Sequence, residues 1–261
     1  MKPFAALAGS ARRGARALAL VSAALYGSAL LAAPALAGDS ALLEIHGYSE
    51  DGRYFAFEEY GIQDGSGFPY TNLFVVDLSA DRWVSGTPVR ARDDSEIDTQ
   101  TMADLQRIRE EARQAAGPVL AELDITTPAR IVALLGDGSL EDGETLEFGI
   151  PGFTGPGSVG ETYRLALETF EAGSPHDCET FLGTPALGYA LSITGEDGAR
   201  ELHRDGANLP ASRGCATAYR LYGVVIPYQT YGLEAAVALV SVYPFGFEGP
   251  DRRFLAVPLG R

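Results

Sequence analysis

Residues 50–60 read EDGRYFAFEEY. Asp51-Gly52 is turn chemistry, because both residues tolerate the backbone angles of tight turns. The aromatic residues that follow mark a strand over 53–60, and three more stretches share that character: 41–48 (ALLEIHGY), 71–78 (TNLFVVDL) and 82–91 (RWVSGTPVRA). Side chains alternate across a strand, so the adjacent Glu58 and Glu59 are expected on opposite faces.

The opening three letters return at 141 (EDGETLEF) and 196 (EDGAREL), with a relative at 249–257 (GPDRRFLAV). Each full copy precedes a threonine by 21 residues: Thr71, Thr162 and Thr217. The second and third copies are 55 residues apart. Two readings stay open. A divergent repeat implies a mainly β protein, propeller-like or made of repeated antiparallel sheets, because each small unit must bury a face on a neighbour. Recurrent turn chemistry alone implies a β-sandwich. Either architecture carries one helical insertion at about 95–127. Within it Met102, Leu105, Ile108, Ala112 and Ala115 recur at helical spacing. Asp98 or Thr99 is placed to cap its start, and Gly117-Pro118 to end or kink it.

At the N-terminus, Lys2, Arg12, Arg13 and Arg16 precede an apolar run that ends in Ala35-Leu36-Ala37. This is the pattern of a signal peptide over 1–37, cleaved after Ala37. An uncleaved anchor and twin-arginine export are the alternatives, and no later segment has the length of a membrane span. Residues 38–261 then form a single β-rich domain, periplasmic or secreted. Loss of 1–37 takes the balance from 20 basic and 35 acidic residues to 16 and 35, so net charge moves from −15 to −19. Such a field opposes nucleic acid and anionic membrane surfaces. The only lysine, Lys2, leaves with the leader, which excludes Schiff-base and P-loop chemistry from the mature chain. In an oxidising compartment Cys178 and Cys215 are expected to form a disulfide. A zinc set of His176, Cys178, His203 and Cys215 is the competing reading.

The stretch GYSEDGRYFAFEEYG…TNLFVVDLSADRW resembles a blade of the TolB-like propellers, through Ser49, Asp51, Gly52, Ala56, Phe57, Val76, Asp77 and Leu78. Glu50 stands where those blades have proline. Taken whole, the chain resembles a bacterial family known as predicted secreted proteins, a domain of unknown function. That resemblance rests on the leader, on YSEDGRYFAFEEYGIQDGSGFPYTNLFVVDL and on the ending SVYPFGFEGPDRRFLAV. It implies export and a single domain, and transfers no catalytic residue.

Hydrolase motifs are missing: neither G-x-S-x-G nor H-E-x-x-H occurs. Two aromatic, glycine-rich loops, 60–71 and 243–254, offer a recognition surface because rigid rings contribute large contact area. Its candidate ligand-binding residues are Glu58, Glu59, Tyr60, Asp64, Phe68, Tyr70, Phe245, Phe247, Glu248 and Asp251. Calcium is the cofactor to weigh, at Glu59 and Asp64. The oxygen-rich loop from Asp137 departs from an EF-hand at Asp142 and Phe148. The expectation is an exported, non-enzymatic binding or accessory module without cofactor, its partner an envelope protein, peptide or glycan. The alternative is a secreted hydrolase using paired carboxylates, Glu59 with Asp64 across the loop that follows it, or bound calcium.

Overall fold

The computed structural model describes residues 38–95, 101–136, 143–155, 157–246 and 249–260. Residues 1–37, expected as a leader, the cap candidates Asp98 and Thr99, Asp137, the Glu141-Asp142 copy of the opening phrase, and the site candidates Phe247 and Glu248 lie outside these residues. The described chain is mainly β.

Strands β1 (Leu42–Ser49), β2 (Tyr54–Ile62) and β3 (Pro69–Asp77) form an antiparallel meander. At one side β3 pairs with the short β4 (Arg82–Trp83) and β5 (Val89–Arg92); at the other, β1 pairs with β6 (Ile125–Thr127). This is sheet I, and helix α1 (Met102–Glu122) lies between β5 and β6 in the chain. After Pro128 the chain crosses to another sheet as β7 (Ala129–Leu134). A second meander follows, β8 (Thr145–Pro151), β9 (Val159–Ala172), β10 (Ala186–Gly195) and β11 (Gly198–Arg204), with the one-turn α2 (Cys178–Leu182) between β9 and β10. This is sheet II. Strands β12 (Ala216–Pro227), β13 (Val237–Pro244) and β14 (Arg253–Pro258) complete sheet III, ordered β14-β13-β12-β7.

The sheets stack with sheet III in the middle. Along β13, Val237 and Leu239 pack with Phe55, Phe57, Phe74 and Val76 of sheet I. The intervening Ala238, Val240 and Val242 pack with Leu146, Leu165 and Leu191 of sheet II. Burial on both faces explains why β12 and β13 read as nearly unbroken apolar runs rather than as alternating ones. Sheet I is covered on its far face by α1, where Ala56, Leu73 and Val75 meet Ala116 and Val119. Sheet II turns its far face to solvent, as the alternation of buried and exposed residues along the later part of β9 shows. Among the described residues the three antiparallel sheets are therefore repeated but open, and closure into a propeller is not seen.

The turn at 50–52 joins the first and second strands of sheet I, with Gly52 at φ +70°, where glycine is favoured. The turn at Glu196-Asp197 joins the third and fourth strands of sheet II. The phrases at 50–52 and 196–197 thus occupy non-equivalent places in their sheets, as recurrent turn chemistry predicts. Two readings of the helix change as well. Its cap is Thr101, in a capping box with Asp104, and the helix runs through Pro118 to Glu122. Its buried stripe is Leu105, Ile108, Arg109, Ala112 and Ala116, while Met102 and Ala115 face solvent.

Candidate functional site

Glu58 and Glu59 do point to opposite faces of β2, and each sits in its own polar cluster. Glu58 is fully buried under α1. Its Oε1 accepts from Arg109 Nε at 2.6 Å and from Thr71 Oγ1 at 2.8 Å; its Oε2 accepts from Arg113 Nη2 at 3.0 Å. Arg109 and Arg113 stand one helical turn apart, so both reach the same carboxylate. Both guanidiniums also bond Glu44, the cross-strand partner of Glu58. Tyr60, two residues along the same face, lies under the Arg109 guanidinium at 3.4 Å from the ring centre.

His46 completes this cluster, with Nε2 3.2 Å from Glu58 Oε2. A β-bulge between Ile45 and Gly47 places it there, opposite no residue of β2. Gly47, at φ +123°, lets β6 approach, since a Cβ would sit 2.4 Å from Thr127 O. Burial would raise the Glu58 pKa, but hydrogen bonds from His46, Arg109 and Thr71, with the Arg109 charge, hold it far below its usual range. The carboxylate is thus ionised and only accepts, which assigns the hydrogen to His46 Nε2. Oxygen and nitrogen atoms of Glu44, His46 and Glu58 lie within 4.8 Å of one another, but a metal ion there would have to displace two guanidiniums.

Glu59 faces sheet III. Its oxygens take the Asn72 amide and the Phe254 backbone N–H, each at 2.9 Å. Beside it Asp39 ties the two aromatic loops together. Asp39 accepts from Tyr70 Oη (2.9 Å) and Arg253 Nη2 (2.8 Å), while its own N–H donates to Asp251 (3.1 Å). Tyr70, Asp251 and Glu59 of the sequence-derived set therefore meet as a fastening between sheets I and III. Phe245 stays exposed and Phe68 half-buried, with Asp64 on the hairpin between β2 and β3.

Burial raises the pKa of Glu59, against the hydrogen bond from Phe254. The folded protein then holds this proton more tightly than the unfolded chain does. The resulting stability is present below the ordinary value of 4.5 and is lost as pH rises through the elevated folded value. Glu59→Gln keeps an acceptor for Phe254 and removes this loss. The variant should melt at or above the wild type at pH 8 and show a flatter Tm–pH profile over pH 5–8. A variant that melts well below the wild type at pH 8 would refute a buried acid held against its charge.

A groove opens beyond the Glu44–His46 edge. Where the chain leaves sheet I at Pro128 and enters sheet III, β1 and β7 diverge and enclose about 480 Å³. Leu43, Ile45, Ala129, Val225 and Leu239 line it, Glu44 and His46 are polar groups on the β1 side, and Ile131 and Leu134 line it while half-exposed to solvent. Mostly apolar walls with a few convergent polar groups are the usual composition of a ligand site. Sequence reasoning reached Glu58 and Tyr60 behind this groove but gave no site role to His46, Arg109, Arg113 or β7. The available signal was two arginines four residues apart on the apolar stripe of the helix.

Among the described residues no helix is long and apolar enough to cross a membrane. Residues 56–260 match the model of a family described as "Predicted secreted protein (DUF2259)". No curated protein matches the chain.

Proposed function

The chain belongs to the DUF2259 family of predicted secreted proteins, and from that premise we propose that it is a non-catalytic binding module of the cell envelope. Its ligand site is the groove between β1 and β7. The observation that carries this reading is the groove itself: apolar walls from two sheets, with Glu44 and His46 fixed at one side by the buried Glu58–Arg109–Arg113 network. Side chains held by buried ion pairs present a ligand with a set geometry, which reduces the entropy lost on binding. Paired-carboxylate hydrolysis finds no such support. Of the pair Glu59 and Asp64, Glu59 faces sheet III with both oxygens already accepting hydrogen bonds, and Asp64 stands on the hairpin between β2 and β3.

Nile red, a neutral apolar dye, should bind the mature protein saturably, with emission shifted to the blue. Ile131 is 53% exposed, so Ile131→Asp can change the groove without opening the core. This variant should weaken the dye roughly tenfold, about 1.4 kcal/mol, at an unchanged melting temperature. No saturable binding, or equal binding by the variant, would remove the groove as the site.

A further inference from the structure

The hydrogen-bond pattern of sheet I shows what kind of ligand the groove takes. The bonds Leu78 N–H to Arg53 O and Gln63 N–H to Phe68 O frame the β2–β3 ladder. They place the odd-numbered residues of β2 in bonding register with β3, which leaves Glu58 and Tyr60 to bond β1. Their partners there are Glu44 and Leu42. The intervening Leu43 and Ile45 therefore direct their N–H and C=O groups away from β2, at the edge that lines the groove. Strand β6 covers this edge only at Tyr48 and Ser49, and no other described strand pairs with β1 there. The opposite wall has the same property. Tyr228 N–H to Pro128 O frames the end of the β7–β12 ladder, so Ala129 and Ile131 also point their main-chain groups outward.

Exposed sheet edges are normally blunted by outward charge, proline or a covering loop, because unpaired N–H and C=O groups template another strand. Here the edge bears Leu42, Leu43 and Ile45, and Leu42 is 50% exposed. The nearby polar groups, Glu44 and His46, are engaged with Arg109, Arg113 and Glu58.

We propose that the ligand is an extended polypeptide segment of another envelope protein, which adds to sheet I as a strand along Leu42–His46. This rests on the groove being the binding site, as proposed above. Added strands gain affinity from main-chain hydrogen bonds and specificity from alternate side chains. One face of the segment meets the apolar wall of Ala129, Val225 and Leu239; the other meets the rim at Glu44, whose side chain is 43% exposed. An alternating apolar and polar segment with a basic residue toward Glu44 fits both faces, and the net charge of −19 after loss of 1–37 attracts it. A lipid tail or a sugar offers no repeating N–H and C=O pair to match Leu43 and Ile45.

The test uses a short synthetic peptide of alternating valine and threonine with lysine at both ends, measured by displacement of Nile red. Two methylated versions accompany it, one with N-methyl groups on every valine and one on every threonine. Only one edge of an added strand faces β1, so one version should lose at least tenfold in affinity while the other keeps the parent value. Equal binding by all three peptides overturns strand addition and leaves an apolar groove. Dye binding without any displacement by peptide also overturns it. Absence of dye binding defeats the groove itself, a separate result. Concentration-dependent dimers of the chain that the peptide dissociates would make the occupant a second copy, and the proposal of a foreign segment would fall.

Discussion

Glu58→Ala should lower stability by roughly 3–5 kcal/mol, the usual cost of removing one partner from a buried ion pair. For a domain of this size that corresponds to a drop in Tm of roughly 10 °C. The expectation follows from the difference between having and breaking such a pair. The intact cluster contributes modestly, because the desolvation of Glu58 and Arg109 offsets most of their attraction. Without the carboxylate, Arg109, only 4% exposed, keeps Glu44 alone, and Thr71 loses its acceptor. The pH dependence has a defined sign. The folded-state pKa of Glu58 is depressed, so the stabilisation is complete above the ordinary value of 4.5. It is lost as pH falls through that value toward the depressed one, because the unfolded chain takes up the proton first. Thermal melts of both proteins at pH 7 and pH 4 check this. The variant should be far less stable at pH 7, and the gap should narrow at pH 4. A loss below about 1 kcal/mol at pH 7 would mean that water replaces the carboxylate and the cluster is not sealed under α1.

The contrast between Glu58 and Glu59 was legible in the sequence because it depends only on strand alternation, a local property. So was the existence of α1, whose apolar stripe is strong. What failed was the count of apolar residues alone. Arg109 belongs to the buried stripe, but a periodicity read from hydrophobic residues passes over a guanidinium whose partner lies 51 residues away in the chain. The cap moved from Asp98 or Thr99 to Thr101 because Asp104 completes a capping box only from there. The order of the sheets was harder still. The repeat reading matched turns, and turns are built from the same few residues wherever a hairpin closes. One signal for a central sheet was present. GVVIP at 223–227 and VALVSV at 237–242 do not alternate, as strands covered on both faces do not. The groove was not legible at all, since it arises where β6 and β7, separated only by Pro128, pair with strands far away at β1 and β12.

Loss of the Cys178–Cys215 disulfide should cost roughly 3–4 kcal/mol, the loop-closure entropy of a cross-link of this span. The two sulfurs are bonded to each other across 37 positions, which excludes the zinc set that would have used both as thiolates. The bridge joins Cys178, the first residue of α2 between β9 and β10 of sheet II, to Cys215, just before β12 of sheet III. It does not act alone. Leu209 N–H bonds Gly173 O (2.8 Å), Ser174 Oγ donates to Gly214 O (3.4 Å), and His176 Nε2 reaches Ala211 O (3.0 Å). The sulfurs also pack with Ala172, Ala186 and Leu209 in a small apolar cluster. Cys178→Ser with Cys215→Ser should therefore unfold at least 5 °C earlier, by roughly the same free energy as chemical reduction of the wild type. None of these residues lines the groove between β1 and β7, so Nile red affinity at 20 °C should be unchanged in the variant. A melting temperature equal to the wild type would show that the hydrogen bonds and apolar contacts already fix the loop. Lost dye binding in a folded variant would show that the bridge reaches the groove through sheet III. With an intact groove and a lower melting point, the disulfide acts on stability alone, and the full stability of the fold depends on an oxidising compartment.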